Sequence, residues 1–300
     1  MRRMTPTSAN ADKRMARCRV LPRLVLLAVL AAASAPCLAA PPRIAVCLPP
    51  QAGILDALQP GAAPLVLIDR GQNPHSFDPS PRQLAELSMC GLYVAAGLPF
   101  ENALLPRLRA LNPAMRIVPA PADEHDHDAP EADEHDPHFW THPDGILAEA
   151  RAIAAALSEA DPGAAPAVSA ALAAYETSLR DLDAALRARL APLKGRAFLV
   201  YHPAWSHFAE EYGLRQLAIE HHGGAPSAKH LARLTDAVRA EGIRLVLVQS
   251  DSEAARTRPF ADSLGLGTRL VNPLGRDPRQ LLRDTADAIE AALPTTHAGP

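Results

Sequence analysis

The chain is 300 residues long, 48% hydrophobic and 21% charged, which is enough apolar material for a sizeable buried core. Its formal net charge is −3 and aromatic residues make up only 4%, so the composition argues against a nucleic-acid surface built from basic stripes and stacking rings. The first 39 residues read as a secretory signal. Arg17, Arg19 and Arg23 form a basic region, an apolar run covers 24–33, and Cys37-Leu38-Ala39 ends on small residues, so cleavage is expected after Ala39. The apolar run is too short for a transmembrane span, and Pro36 before Cys37 disfavours a lipoprotein. Translation starts from Met1 or from Met15, and export places the mature chain in the periplasm. Cys18 and Cys37 leave with the signal. Cys47 and Cys90 remain, either as a disulfide or as two buried thiols.

Residues 40–164 are expected to form a first α/β lobe. Strands are predicted over 43–48, 64–68, 92–96 and 115–118, with helices over 54–58, 81–87 and 103–111 between them. That alternation predicts a mostly parallel sheet covered by helices. The segment 122–137, ADEHDHDAPEADEHDP, mixes three histidines with acids and has almost nothing apolar, so it reads as a solvated loop. A helix over 143–158 follows, with Ile146, Ala150, Ile153 and Leu157 on one face, and Asp161-Pro162-Gly163 breaks it. An alanine- and leucine-rich stretch, 165–191, reads as a linker helix of about 38 Å at 1.5 Å per residue, ended by Pro192 and Gly195. The second lobe, 192–300, repeats the pattern. Strands are predicted over 197–201, 216–219, 245–248 and 269–271, with helices over 205–212, 228–240, 254–264 and 278–293.

Three of the twelve histidines fall where parallel sheets place ligand sites, beyond the carboxyl ends of strands. His75 lies after the second strand in NPHSFDPSP, His138 after the fourth in DPHFWTHP, and His202 directly after AFLVY. If the lobes face each other, the three imidazoles converge between them. Neutral imidazole suits zinc, and three of them plus one further donor complete a tetrahedral site. Asn272, in LVNPLG, holds another strand end and is expected to line the site, with water or its weak amide oxygen as the fourth donor. His142 reads as a cap for the helix after Pro143, and His207 as helix packing. Glu220 and His221 read first as polar loop residues before Gly223-Gly224, and second as groups that approach the metal, Glu220 as its fourth ligand, or hydrogen-bond a ligand histidine. Trp140 and Trp205, close behind two of the histidines, are expected to pack around the site and exclude water.

The ordered set NPHSFDPSP, GLYVAAGLPFE, DPHFW, LKGRAFLVYHPAWSHFAEEYGL, GGAPSAKHL and VNPLG resembles the zinc- and manganese-type metal solute-binding proteins of bacterial ABC importers, over nearly all of the mature chain. The resemblance implies that His75, His138 and His202 bind the metal. It also implies that the acidic, histidine-rich loop is a feature of the zinc members. That family usually has an aspartate where Asn272 stands, and its absence disfavours manganese, which prefers an oxygen-richer shell. The function implied is capture of Zn²⁺ between two lobes, without catalysis and with only limited hinge motion, and delivery to an inner-membrane permease. The partners are that permease and a periplasmic metallochaperone, with no nucleic acid, and the chain acts as a monomer. His125, His127 and His135 add weaker zinc sites on the loop. The alternatives are a hydrolase with a three-histidine zinc site and Glu220 as base, a manganese-binding relative, or an adhesin.

Overall fold

The computed structural model describes Met1 and residues 43–69, 72–121, 136–220 and 226–293. From residue 43 onward these belong to one compact unit. The signal segment, the loop histidines and His221 lie outside the described residues. Among the described residues no helix is long and apolar enough to cross a membrane.

Eight strands form two four-stranded parallel sheets. The first contains β1 (Ile44–Val46), β2 (Leu65–Val66), β3 (Leu92–Val94) and β4 (Arg116–Val118), in the order β2-β1-β3-β4. The second contains β5 (Ala197–Val200), β6 (Arg215–Ala218), β7 (Leu245–Val248) and β8 (Gly267–Leu270), in the order β6-β5-β7-β8. The two orders are equivalent, so the chain builds one topology twice. Register pairs Ile44 with Leu92 and Leu92 with Arg116 in the first sheet, and Leu199 with Val246 and Leu245 with Gly267 in the second. β1, β3 and β5 are buried at every residue, as strands covered on both faces must be, whereas β8 is an exposed edge.

The helices are α1 (Pro49–Leu58), α2 (Pro81–Ser88), α3 (Glu101–Leu111), α4 (Pro143–Ala160), α5 (Ala165–Leu190), α6 (Ser206–Glu211), α7 (Ala228–Glu241), α8 (Asp251–Leu264) and α9 (Pro278–Ala292). Two start three or more residues earlier than their periodicity suggests. α1 begins at Pro49 rather than residue 54, because prolines in the first turn have no N–H to leave unpaired, and the Gln51 side chain accepts from Leu48 N–H at 2.9 Å. α8 begins at Asp251 rather than 254, since Ser250 caps it by accepting from Glu253 N–H. β8 begins at Gly267, two residues before the predicted strand, because the parallel ladder with β7 extends to that register.

α5 is the linker helix foreseen. It buries one stripe, Val168, Tyr175, Leu179, Leu182, Leu186 and Leu190, against α4 and α1 on one side and α9 on the other. It therefore packs against elements of both lobes and acts as a shared spine. The lobes also meet directly. Gly53 of α1 lies against the Arg276 backbone so closely that a Cβ there would sit 1.7 Å from the Arg276 carbonyl oxygen. Trp140 Nε1 donates to the Pro273 carbonyl at 3.0 Å. Of the two alternatives for Cys47 and Cys90, the structure has two free, buried thiols.

Candidate metal centre

Each of the three histidines is presented by a short irregular segment at a strand end. His75 sits in a 3-10 turn, Pro74–Ser76, which Asn73 opens by accepting from His75 N–H at 2.9 Å. His138 directly precedes a second such turn, Phe139–Thr141. Its N–H donates to Asp136 Oδ1 at 3.0 Å, and its carbonyl accepts from Thr141 Oγ1 at 2.8 Å. His202 leaves the central strand β5 within two residues of Val200. β6 pairs with β5 in parallel, so Glu220, two residues beyond β6, arrives beside it.

The rings meet in a triangle. Centroid separations are 5.2 Å for His75–His138, 4.9 Å for His75–His202 and 5.3 Å for His138–His202. One ligand-capable atom from each lies within 4.8 Å of the others. His75 Nε2 and His138 Nε2 are 3.3 Å apart. Two nitrogens bound tetrahedrally at about 2.0–2.1 Å are about 3.3–3.4 Å apart, so this pair already has the spacing of zinc ligands. Among the described residues, His202 Nε2 is buried with no hydrogen-bond partner, a costly state for a nitrogen lone pair unless something else approaches it.

The protonation balance favours neutral rings at His75 and His202. Desolvation and the neighbouring His138 and His202 lower the His75 pKa from 6.5 to about 4. Desolvation and His138 also lower that of His202, with Glu220 opposing. His202 Nδ1 lies 2.6 Å from Glu220 Oε2 and His138 Nδ1 lies 2.6 Å from Asp136 Oδ1. Burial alone would raise the Asp136 pKa. Hydrogen bonds from His138 and Ser206 outweigh it and hold the carboxyl well below the usual range.

The sequence-based readings of the surrounding residues fare unevenly. Asn272 lines the same cleft of about 160 Å³ as the three histidines. Its Oδ1 accepts from Leu274 N–H at 2.9 Å, and the residue is exposed. Glu220 is not a bystander in a polar loop, because its carboxylate engages His202. Trp140 is 1% exposed with its ring 5.2 Å from that of His138, as expected of a packing residue at the site. Trp205 is buried too, but its Nε1 donates to Thr285 Oγ1 of α9, so it packs against that helix and does not line the cleft. His142 occupies the N-cap of α4 without a capping side-chain bond, and its ring stacks on His207 at 5.0 Å. His207 is 9% exposed, and its Nε2 donates to the Asp136 carbonyl at 3.1 Å. Asp136 is the residue that sequence reasoning passed over. It was absorbed into the acidic loop, although an Asp two residues before a ligand-type histidine is placed to bond both that residue's N–H and its ring.

The fold and the site together define a two-lobed α/β binding protein with an imidazole cluster in its cleft. Solved structures share the fold. A crystal structure of ZnuA superposes with a TM-score of 0.74 at 33% identity, covering 84% of this chain and 99% of that one. The zinc-bound 138–173 deletion mutant of ZnuA gives 0.74 at 32%, covering 87% and 100%. The zinc-binding lipoprotein AdcA of Streptococcus pneumoniae is 28% identical over 225 residues, covering 70% of this chain and 45% of AdcA. The high-affinity zinc uptake system protein ZnuA of Brucella abortus is 27% identical over 171 residues, covering 54% and 51%. The chain thus spans about half the length of these curated relatives. Residues 46–292 match the family of the periplasmic zinc-uptake complex component A, ZnuA, and the chain belongs to that family.

Proposed function

We propose that this chain captures Zn²⁺ between its two lobes, residues 40–164 and 192–300, and releases it to an ABC-type importer in the inner membrane. His75, His138 and His202 supply the three protein ligands, a water is the fourth donor, and Asn272 lines the approach. The observation that carries the reading is the meeting of three imidazole nitrogens from three separate strand ends within 4.8 Å. Three neutral nitrogen donors suit zinc better than manganese, and the depressed pKa values of His75 and His202 keep those rings ready to coordinate near neutral pH. The hydrolase alternative asked Glu220 to serve as a general base, but its carboxylate accepts from His202 Nδ1 instead. The relatives' names support zinc as the cargo, the periplasm as the place and a zinc-uptake system as the setting.

The test is titration of the metal-free chain with zinc against a competing chelator. One tightly held zinc per chain is expected. His138→Ala should weaken it by more than the roughly 10–100-fold that loss of an outer hydrogen-bond partner costs. A chain that takes up no zinc, or a variant that binds it as well as the parent, overturns the proposal.

A further inference from the structure

Two imidazoles of the cluster, His202 and His138, are each held from behind by a carboxylate, but the two carboxylates are held differently. Glu220 belongs to the same lobe as His202 and reaches it from the neighbouring strand end. Asp136 comes from the first-lobe side, two residues before His138, yet its other contacts belong to the second lobe. Oδ1 accepts from both the N–H and the Nδ1–H of His138, at 3.0 and 2.6 Å. Oδ2 accepts from the hydroxyl of Ser206, the first residue of α6. The Asp136 carbonyl accepts from His207 Nε2, also on α6. Every acceptor of this residue is therefore assigned, and they divide between a histidine of the cluster and a helix of the opposite lobe.

An imidazole has two nitrogens, and only the unprotonated one can coordinate. A carboxylate on Nδ1 keeps the proton there and leaves the Nε2 lone pair facing the other rings. At His138 that acceptor is itself oriented by a hydroxyl from across the cleft. We infer that Asp136 is a positioning residue that joins the lobes at the metal site: it fixes the His138 tautomer and ring angle through one oxygen, while Ser206 and His207 of the second lobe hold its other oxygen and its carbonyl. This inference rests on the zinc-capture reading above. It adds that the coordinating geometry of His138 depends on the second lobe being in place, so that removing a hydroxyl that touches no ligand ring alters the bound metal. The other hydrogen-bond contacts of His138, to Thr141 and to the His75 ring, stay within the first lobe and carry no such dependence.

The experiment compares the parent chain with Asp136→Ala, Asp136→Asn and Ser206→Ala. Zinc affinity is measured by chelator competition, the visible absorption of the cobalt(II)-loaded protein is recorded, and metal-free unfolding is followed in EDTA. Asp136→Ala should still bind one zinc, about 10–100-fold more weakly, with Asp136→Asn between it and the parent. Ser206→Ala should weaken zinc by about threefold or more and shift the cobalt absorption in the same sense as Asp136→Ala, beyond any small drop in its metal-free unfolding midpoint. A purely structural role would move the midpoint and leave the cobalt spectrum alone. Parent-like affinity and spectrum in Ser206→Ala, alongside a weakened Asp136→Ala, would remove the link between the lobes. Parent-like behaviour in all three variants would remove the positioning role altogether. Failure of the parent chain to bind zinc is a separate result, and it refutes the proposed function instead.

Discussion

Glu149 lies on α4 with 1% of its surface exposed. Its Oε1 accepts from Gln51 Nε2 at 2.7 Å, and its Oε2 is buried with no hydrogen-bond partner among the described residues. Burial pushes its pKa from the ordinary 4.5 up to about 8, with the Gln51 hydrogen bond opposing and the Glu101 charge adding to the rise. The folded chain therefore keeps the proton up to about pH 8, whereas the unfolded chain releases it near 4.5. Stability contributed by this group is complete below pH 4.5 and is lost as pH climbs through 8. The loss runs at about 1.4 kcal/mol per pH unit, to a ceiling of about 5 kcal/mol. Glu149→Gln presents the same carbonyl to Gln51 and has nothing to titrate. The variant should gain on the parent by about 2–3 kcal/mol between pH 5.5 and 7.5. Histidine titrations are common to both proteins and cancel in the difference. Urea unfolding of the metal-free proteins at pH 5.5, 6.5 and 7.5 measures it, with unchanged m-values as the control. A difference that stays constant over this range means Glu149 is ionised in the fold, and the reasoning fails.

Gly53→Ala forces a methyl group onto the Arg276 carbonyl, so α1 and the 272–277 segment must separate. The cost should be at least about 1–3 kcal/mol, read as a drop of several degrees in Tm, and an unchanged Tm argues against the lobe contact. Three imidazoles of ordinary pKa would lose about 50-fold in zinc affinity to proton competition between pH 7.5 and 6. With the pKa of His75 near 4 and that of His202 also lowered, the loss should stay below about tenfold. Chelator competition at the two pH values distinguishes these outcomes. Asn272→Ala should leave zinc affinity within about threefold of the parent, because Oδ1 already serves the Leu274 N–H. A tenfold loss in the same titration makes Asn272 a ligand.

Local patterning carried much of the architecture. Every predicted strand and helix has a counterpart, because the 2- and 3.6-residue periods that bury one face are written between near neighbours. The misplaced helix starts arise where capping outweighs periodicity. Pro49-Pro50 is acceptable in a first turn, and Ser250 opens α8 ahead of its apolar face. Trp205 shows a different limit. Its position behind His202 suggested the site, but the direction of a side chain depends on which helix covers it, and here α9 offers Thr285.

The sequence by itself determined two α/β lobes on a long helix and put His75, His138 and His202 at strand ends, since strand order in the chain and residue chemistry are local properties. Only the tertiary structure decided that their nitrogens share one point, that Glu220 backs His202, and that Asp136 bonds Ser206. These contacts join residues 18 to 127 positions apart, and no periodic signal links such residues until packing of the lobes along α5 brings them together.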